Sequence, residues 1–141
     1  MSEAGSGSDV MSMQTRAEKH NDYYVLNGSK FWITNGPIAD LIIVYAKTEP
    51  SKSKPKYGKI TAFLIEKGME GFTAGPKLDK LGIRGSPTGE LIFDNCKVPA
   101  SHVLGEHNKG AYILMSGQSY DQFQLDVKSF YSREIGNLFH N

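Results

Sequence analysis

Residues Lys30-Phe31-Trp32-Ile33-Thr34-Asn35-Gly36 gather the side chains of this chain best suited to meeting a ligand. Lys30 to Thr34 read as a strand, and Asn35-Gly36 is a strong turn signal. A strand ending in Trp-Ile-Thr before a tight turn can present a flat ring and a hydroxyl side by side. That pair suits a planar, hydrogen-bonding ligand such as a flavin. A core tryptophan in an ordinary β-hairpin is the commoner use of the same residues.

Other groups with chemical potential are sparser. Ser2 to Val10 form a Gly/Ser loop, the kind of backbone that lets N–H groups approach an anionic or polar ligand closely. A disordered N-terminus explains that composition too. His20, His102, His107 and His140 are scattered without metal-ligand spacing, and Cys96 stands alone, so no metal site is expected. No Ser or Cys has a nearby base in a recognisable arrangement. Asp121 and Asp126 fit a solvated helical face. Neither a Gly-Lys-Ser/Thr phosphate loop nor a dinucleotide-binding glycine fingerprint is present.

The elements that must position these residues read as mainly β. Val25-Leu26, Phe31-Ile33, Leu41-Ala46, Ile60-Ile65 and Leu91-Phe93 are β-branched and aromatic. Asn27-Gly28, Asn35-Gly36-Pro37, Lys67-Gly68, Gly75-Pro76 and Gly85-Ser86-Pro87 punctuate them. This spacing predicts a small antiparallel β-barrel or sandwich with a short C-terminal helical tail. Tyr23 to Thr34 reads as a hairpin closed by Asn27-Gly28. Glu49 to Tyr57 reads as a solvated hairpin tip. A helix starts at Asn108–Gly110 and continues through Ala111 to Met115. Phe123, Val127, Phe130, Tyr131 and Leu138 recur near a helical period beyond Asp121. The expected division is a β domain over residues 1–104 and the start of a helical region over 105–141.

Bulk properties exclude several classes of partner. The 141 residues suffice for one domain with a modest core. Lys+Arg number 16 and Asp+Glu 15, a balance that gives no support to nucleic acid as a partner. No apolar run approaches the roughly 20 residues needed to span a bilayer. One cysteine permits no internal disulfide, and the Ser/Gly-rich N-terminus lacks the layout of a signal peptide.

Several stretches together resemble the acyl-CoA dehydrogenase family. Ser2 to Val10 is similar to its Ser-Glu-Pro-x-Ala-Gly-Ser-Asp signature. Trp32-Ile33-Thr34-Asn35-Gly36 matches its Trp-Ile-Thr-Asn-Gly signature at the expected distance. Leu81-Gly82-Ile83-Arg84-Gly85-Ser86-Pro87-Thr88-Gly89-Glu90-Leu91 resembles its Leu-Gly-x-Arg-Gly-Ser-x-Thr-x-Glu-Leu block. Leu78-Asp79-Lys80 and Tyr112 to Gly117 are most similar to the isovaleryl branch. The resemblance covers about residues 1 to 117, the middle β domain that in this family lies between two helical domains.

The resemblance implies an FAD enzyme that oxidises an acyl-CoA thioester to the enoyl-CoA. A carboxylate would remove the α-proton while flavin N5 takes up the β-hydride. Met1 and Ser2 would bind the pyrimidine end of the flavin, with Gly7 and Ser8 in the same loop. Trp32-Ile33-Thr34 would form the wall, Trp32 packing on the ring system and Thr34 placing its hydroxyl and N–H near N5. Ser8 and Tyr112 would meet the acyl-CoA substrate, with Lys56 and Tyr57 at the hairpin tip as further substrate contacts. Electron-transferring flavoprotein as partner, a homotetramer and the mitochondrial matrix, with a role in leucine breakdown, come with the same resemblance.

The chain also departs from the pattern. Ala4 stands where the family has Pro, and Gly5-Ser6 replace its x-Ala. Asp121 falls on the position of the family's catalytic Glu, one methylene shorter, and Gln122 replaces the Arg that follows. Met1 sits inside a family motif, so the chain is expected to be truncated at both ends and inactive alone.

Overall fold

Short β-branched and aromatic runs become strands of one sheet in the computed structural model, which describes residues 2–7, 9–49 and 59–116. The strands are β1 (Arg16–Lys19), β2 (Tyr23–Thr34), β3 (Leu41–Glu49), β4 (Lys59–Glu66), β5 (Phe72–Ala74), β6 (Thr88–Pro99) and β7 (Val103–Leu104). They lie in the order β5-β6-β2-β1-β3-β4-β7. Helix α1 (Gly110–Ser116) follows, where the Asn108–Gly110 start was expected. The fold is mainly β, and its pairings are antiparallel except for a parallel contact between β1 and β3 at Arg16 and Lys47.

The expected hairpin across Tyr23 to Thr34 is not formed. Those residues make one 12-residue strand, paired along its length with β6. Asn27 braces a bulge instead of closing a turn: its side-chain oxygen accepts a hydrogen bond from Asn95 N–H at 2.8 Å. Gly28 serves close approach, because a Cβ there would lie 2.8 Å from the Thr15 Cα, and its φ is +137°. The hairpin that does form joins β1 to β2, with His20 N–H donating to the Tyr23 carbonyl at 2.8 Å.

Side chains pack on both faces of the sheet. One cluster holds Tyr24, Leu26, Val44, Phe63, Ile65, Leu91, Phe93 and Val98. The other holds Met13, Tyr45, Ile60, Ala62, Leu64 and Leu104, with Ile113 and Leu114 of α1 packed against it. β4 supplies both clusters in alternation, which is why Ile60 to Ile65 shows no polar alternation. The approach to α1 is tied down by side chains: Asn108 N–H donates to Thr61 Oγ1 at 2.8 Å, and the Tyr24 hydroxyl meets His107 Nδ1 at 3.0 Å. Residues 50–57 of the expected hairpin tip and the helical tail from 117 on, Asp126 and His140 among them, lie outside the described residues.

Candidate functional site

The far end of β2 changes its phase. Tyr24, Leu26 and Lys30 are buried, on the two-residue period of a strand. The pairing then runs Lys30 to Leu91 and next Ile33 to Gly89. Phe31 and Trp32 thus oppose the single residue Glu90, a β-bulge, and Trp32 takes a φ of +61°. Beyond it Ile33 packs against the core, while Trp32 and Thr34 are exposed, Trp32 to 57%. Asn35 ends the strand in the left-handed region, its N–H donating to the Pro87 carbonyl at 2.7 Å, as the Asn-Gly signal predicts.

The N-terminal loop is held against this strand end. Phe31 N–H donates to the Ser2 carbonyl at 2.8 Å, and Ser2 Oγ donates to the Phe31 carbonyl at 3.1 Å. Glu3 and Ser6 exchange backbone hydrogen bonds at 2.8 and 3.1 Å, closing a tight turn around Ala4-Gly5. The loop is therefore ordered up to Gly7, not a loose terminus. Among the described residues, chain neighbours aside, no atom lies within 4 Å of an ideal Cβ on Gly5 or Gly7.

Beneath the loop lies a buried ion pair. Lys30 Nζ stands 2.7 Å from Glu3 Oε1, with side chains only 3% and 6% exposed. Glu3 also accepts hydrogen bonds from Thr15 Oγ1 at 2.7 Å, Thr15 N–H at 3.1 Å and Gln14 N–H. Burial works to raise the Glu3 carboxyl, but the bonds from Lys30, Thr15 and Gln14, with the Lys30 charge, together hold it below its ordinary value. Burial pulls the Lys30 ammonium down, against the Glu3 carboxylate that holds it up. Sequence reasoning missed this pair. The signal was available: once β2 is read as one strand, Lys30 falls on the same face as Tyr24 and Leu26.

The structure thus brings Ser2, Trp32, Ile33 and Thr34 together, with Ile33 facing inward as support. Tyr112 is exposed on α1, which packs on β4, three places from β2 in the strand order. Its ring lies 5.9 Å from Lys109 Nζ. Met1, Ser8, Lys56, Tyr57 and Asp121 lie outside the described residues. Among the described residues no group of three His, Cys, Asp or Glu side chains is gathered to hold a metal ion.

Residues 1–96 match the family model of the acyl-CoA dehydrogenase middle domain. The chain is 58% identical over 125 residues to the mitochondrial isovaleryl-CoA dehydrogenase of Pongo abelii, covering 89% of this chain and 29% of that protein. An acyl-CoA dehydrogenase from Geobacillus kaustophilus superposes with a TM-score of 0.77 at 47% identity, over 82% of this chain and 30% of that one. A Bacillus anthracis acyl-CoA dehydrogenase complexed with FAD superposes with a TM-score of 0.72 at 39% identity, over 82% and 19%. The chain spans less than a third of the length of these relatives. The family match over residues 1–96, on a sheet shared with these proteins, places the chain in the acyl-CoA dehydrogenase family of oxidoreductases, whose middle domain it carries.

Proposed function

We propose that the chain supplies one wall of the FAD site of an acyl-CoA dehydrogenase acting on a short branched acyl-CoA of the isovaleryl kind, in leucine catabolism. The observation that carries this reading is the bulge at Phe31–Trp32, which turns a ring and a hydroxyl outward beside the loop pinned to Phe31. A flavin needs an apolar wall, a few fixed donors and a rigid support. Trp32 offers the wall, Thr34 and Ser2 the polar groups, and the open side of Gly5 and Gly7 the space. When bound, FAD supplies the electron acceptor for α,β-dehydrogenation. Trp32 would cover the ring system, and Thr34 would place its hydroxyl and N–H near N5. Met1, Gly7 and Ser8 would line the flavin loop, and Ser8, Lys56, Tyr57 and Tyr112 would meet substrate.

Asp121 stands for the catalytic base. Its side chain is one methylene shorter than a Glu, and a displacement of about 1 Å can lose on the order of 100-fold in rate. The 141-residue chain alone is therefore proposed to be inactive, with residues 1–104 as the β domain. The whole-length protein is proposed to work in the mitochondrial matrix as a homotetramer with electron-transferring flavoprotein. A second reading, a non-catalytic flavin-binding or subunit-association module, is favoured by the fully exposed Leu81 and the 82% exposed Ile83.

Titration of the purified chain with FAD tests the proposal, since Trp32 is the only tryptophan. Saturable quenching of its emission is expected, weakened about tenfold in Thr34→Ala by loss of one hydrogen bond. Absence of quenching up to the solubility limit of FAD would refute the flavin reading. Anaerobic mixing with FAD and isovaleryl-CoA should leave the flavin absorbance unbleached, and bleaching would refute the inactivity.

A further inference from the structure

Lys30 occupies an odd place for a cation. It follows Tyr24 and Leu26 on the buried face of β2, its side chain 3% exposed, and immediately precedes the bulge. An apolar side chain would fill that position without the desolvation a charge brings. The Lys30 cation instead reaches back to a carboxylate 27 positions earlier. Glu3 in turn ties the loop to Gln14 and Thr15, which lead into β1, and Thr15 lies against Gly28 of β2. The bulge matters because a strand slipped by one residue exchanges its two faces. On an unbroken two-residue period Trp32 would follow Lys30 into the core.

We propose that the Glu3–Lys30 pair is a positioning latch: it pins the loop of residues 2–7 to β2 and fixes the bulge in the phase that turns Trp32 and Thr34 outward. Neither residue touches the ligand in this scheme; both act through Ser2, Trp32 and Thr34. The consequence for FAD rests on the flavin reading above, whereas the consequence for Trp32 does not.

The test uses the full chain with Glu3→Gln, which keeps the shape and removes the charge. Two readouts are taken at a temperature where circular dichroism shows the variant folded: FAD affinity, and the accessibility of Trp32 to acrylamide without FAD. Glu3→Gln is expected to weaken FAD binding about tenfold or more and to change Trp32 accessibility. Val44→Ala, which loosens the core cluster beneath, should change neither. The latch is overturned if Glu3→Gln leaves both readouts unchanged, or if Val44→Ala moves them equally. Failure of the wild-type chain to bind FAD would remove the flavin reading, and Trp32 accessibility would then decide the latch alone. If Glu3→Gln does not fold, Thr15→Val, which removes a single hydroxyl donor to Glu3, carries the same test with a smaller expected shift.

Discussion

At the scale of single residues, burial separates groups that could react from groups that serve the fold. Lys30 and Glu3 are inside and paired, and their attraction with the bonds from Thr15 and Gln14 offsets part of the desolvation. Removing one partner is another matter, costing on the order of 3–5 kcal/mol in comparable buried pairs. Cys96 is fully buried in the main core cluster, and burial pushes its thiol up to about 11. A thiol so placed holds its proton at neutral pH and reacts slowly. The expected outcome is that the native chain resists a chromogenic disulfide reagent at pH 8 and takes up one equivalent after unfolding in urea. Fast labelling of the native chain would contradict it. Trp32 and Thr34 are the opposite case, exposed on a strand whose other side chains are largely covered.

At the scale of elements, β2 is the strand that carries the candidate site, and β6 is the strand that shapes it. The turn over Gly36–Ile38 crosses β6 at Gly89, where a Cβ would lie 2.6 Å from Pro37 Cγ and 3.0 Å from the Pro76 carbonyl oxygen. Gly89→Ala should therefore destabilise the chain by about 1–3 kcal/mol through overpacking, read as a lowered midpoint in thermal denaturation followed by circular dichroism. An unchanged midpoint would show that the turn yields freely. Most strands were legible in the sequence because β-branched runs alternate with Gly, Pro and Asn. The Tyr23 to Thr34 strand was not, because Asn27-Gly28 carries the chemistry of a hairpin turn. What decides otherwise is non-local: the length of β6 and the approach of Thr15. The outward ring and hydroxyl were legible from Trp32-Ile33-Thr34, whereas the bulge that aims them depends on a register with β6 that local pattern does not state.

At the scale of the whole molecule, one sheet covered on both faces makes the N-terminal loop part of the same structure as the core, through Glu3. Its carboxyl lies below the ordinary value of 4.5 in the folded state. Between those two values the unfolded chain binds more protons than the folded one, so stability rises with pH there and is lost as pH falls through the folded-state value. Urea unfolding across the acid range should show this limb in the wild-type chain and a flatter one in Glu3→Gln. Identical slopes would mean that other carboxylates govern acid unfolding. The positive φ of Trp32 has a different consequence. A bulky residue in that region costs roughly 1–2 kcal/mol that glycine would not. In the proposed flavin site, thermal endurance and ligand recognition would therefore pull this position in opposite directions: the substitution that relaxed the backbone would also strip the ring from the proposed wall.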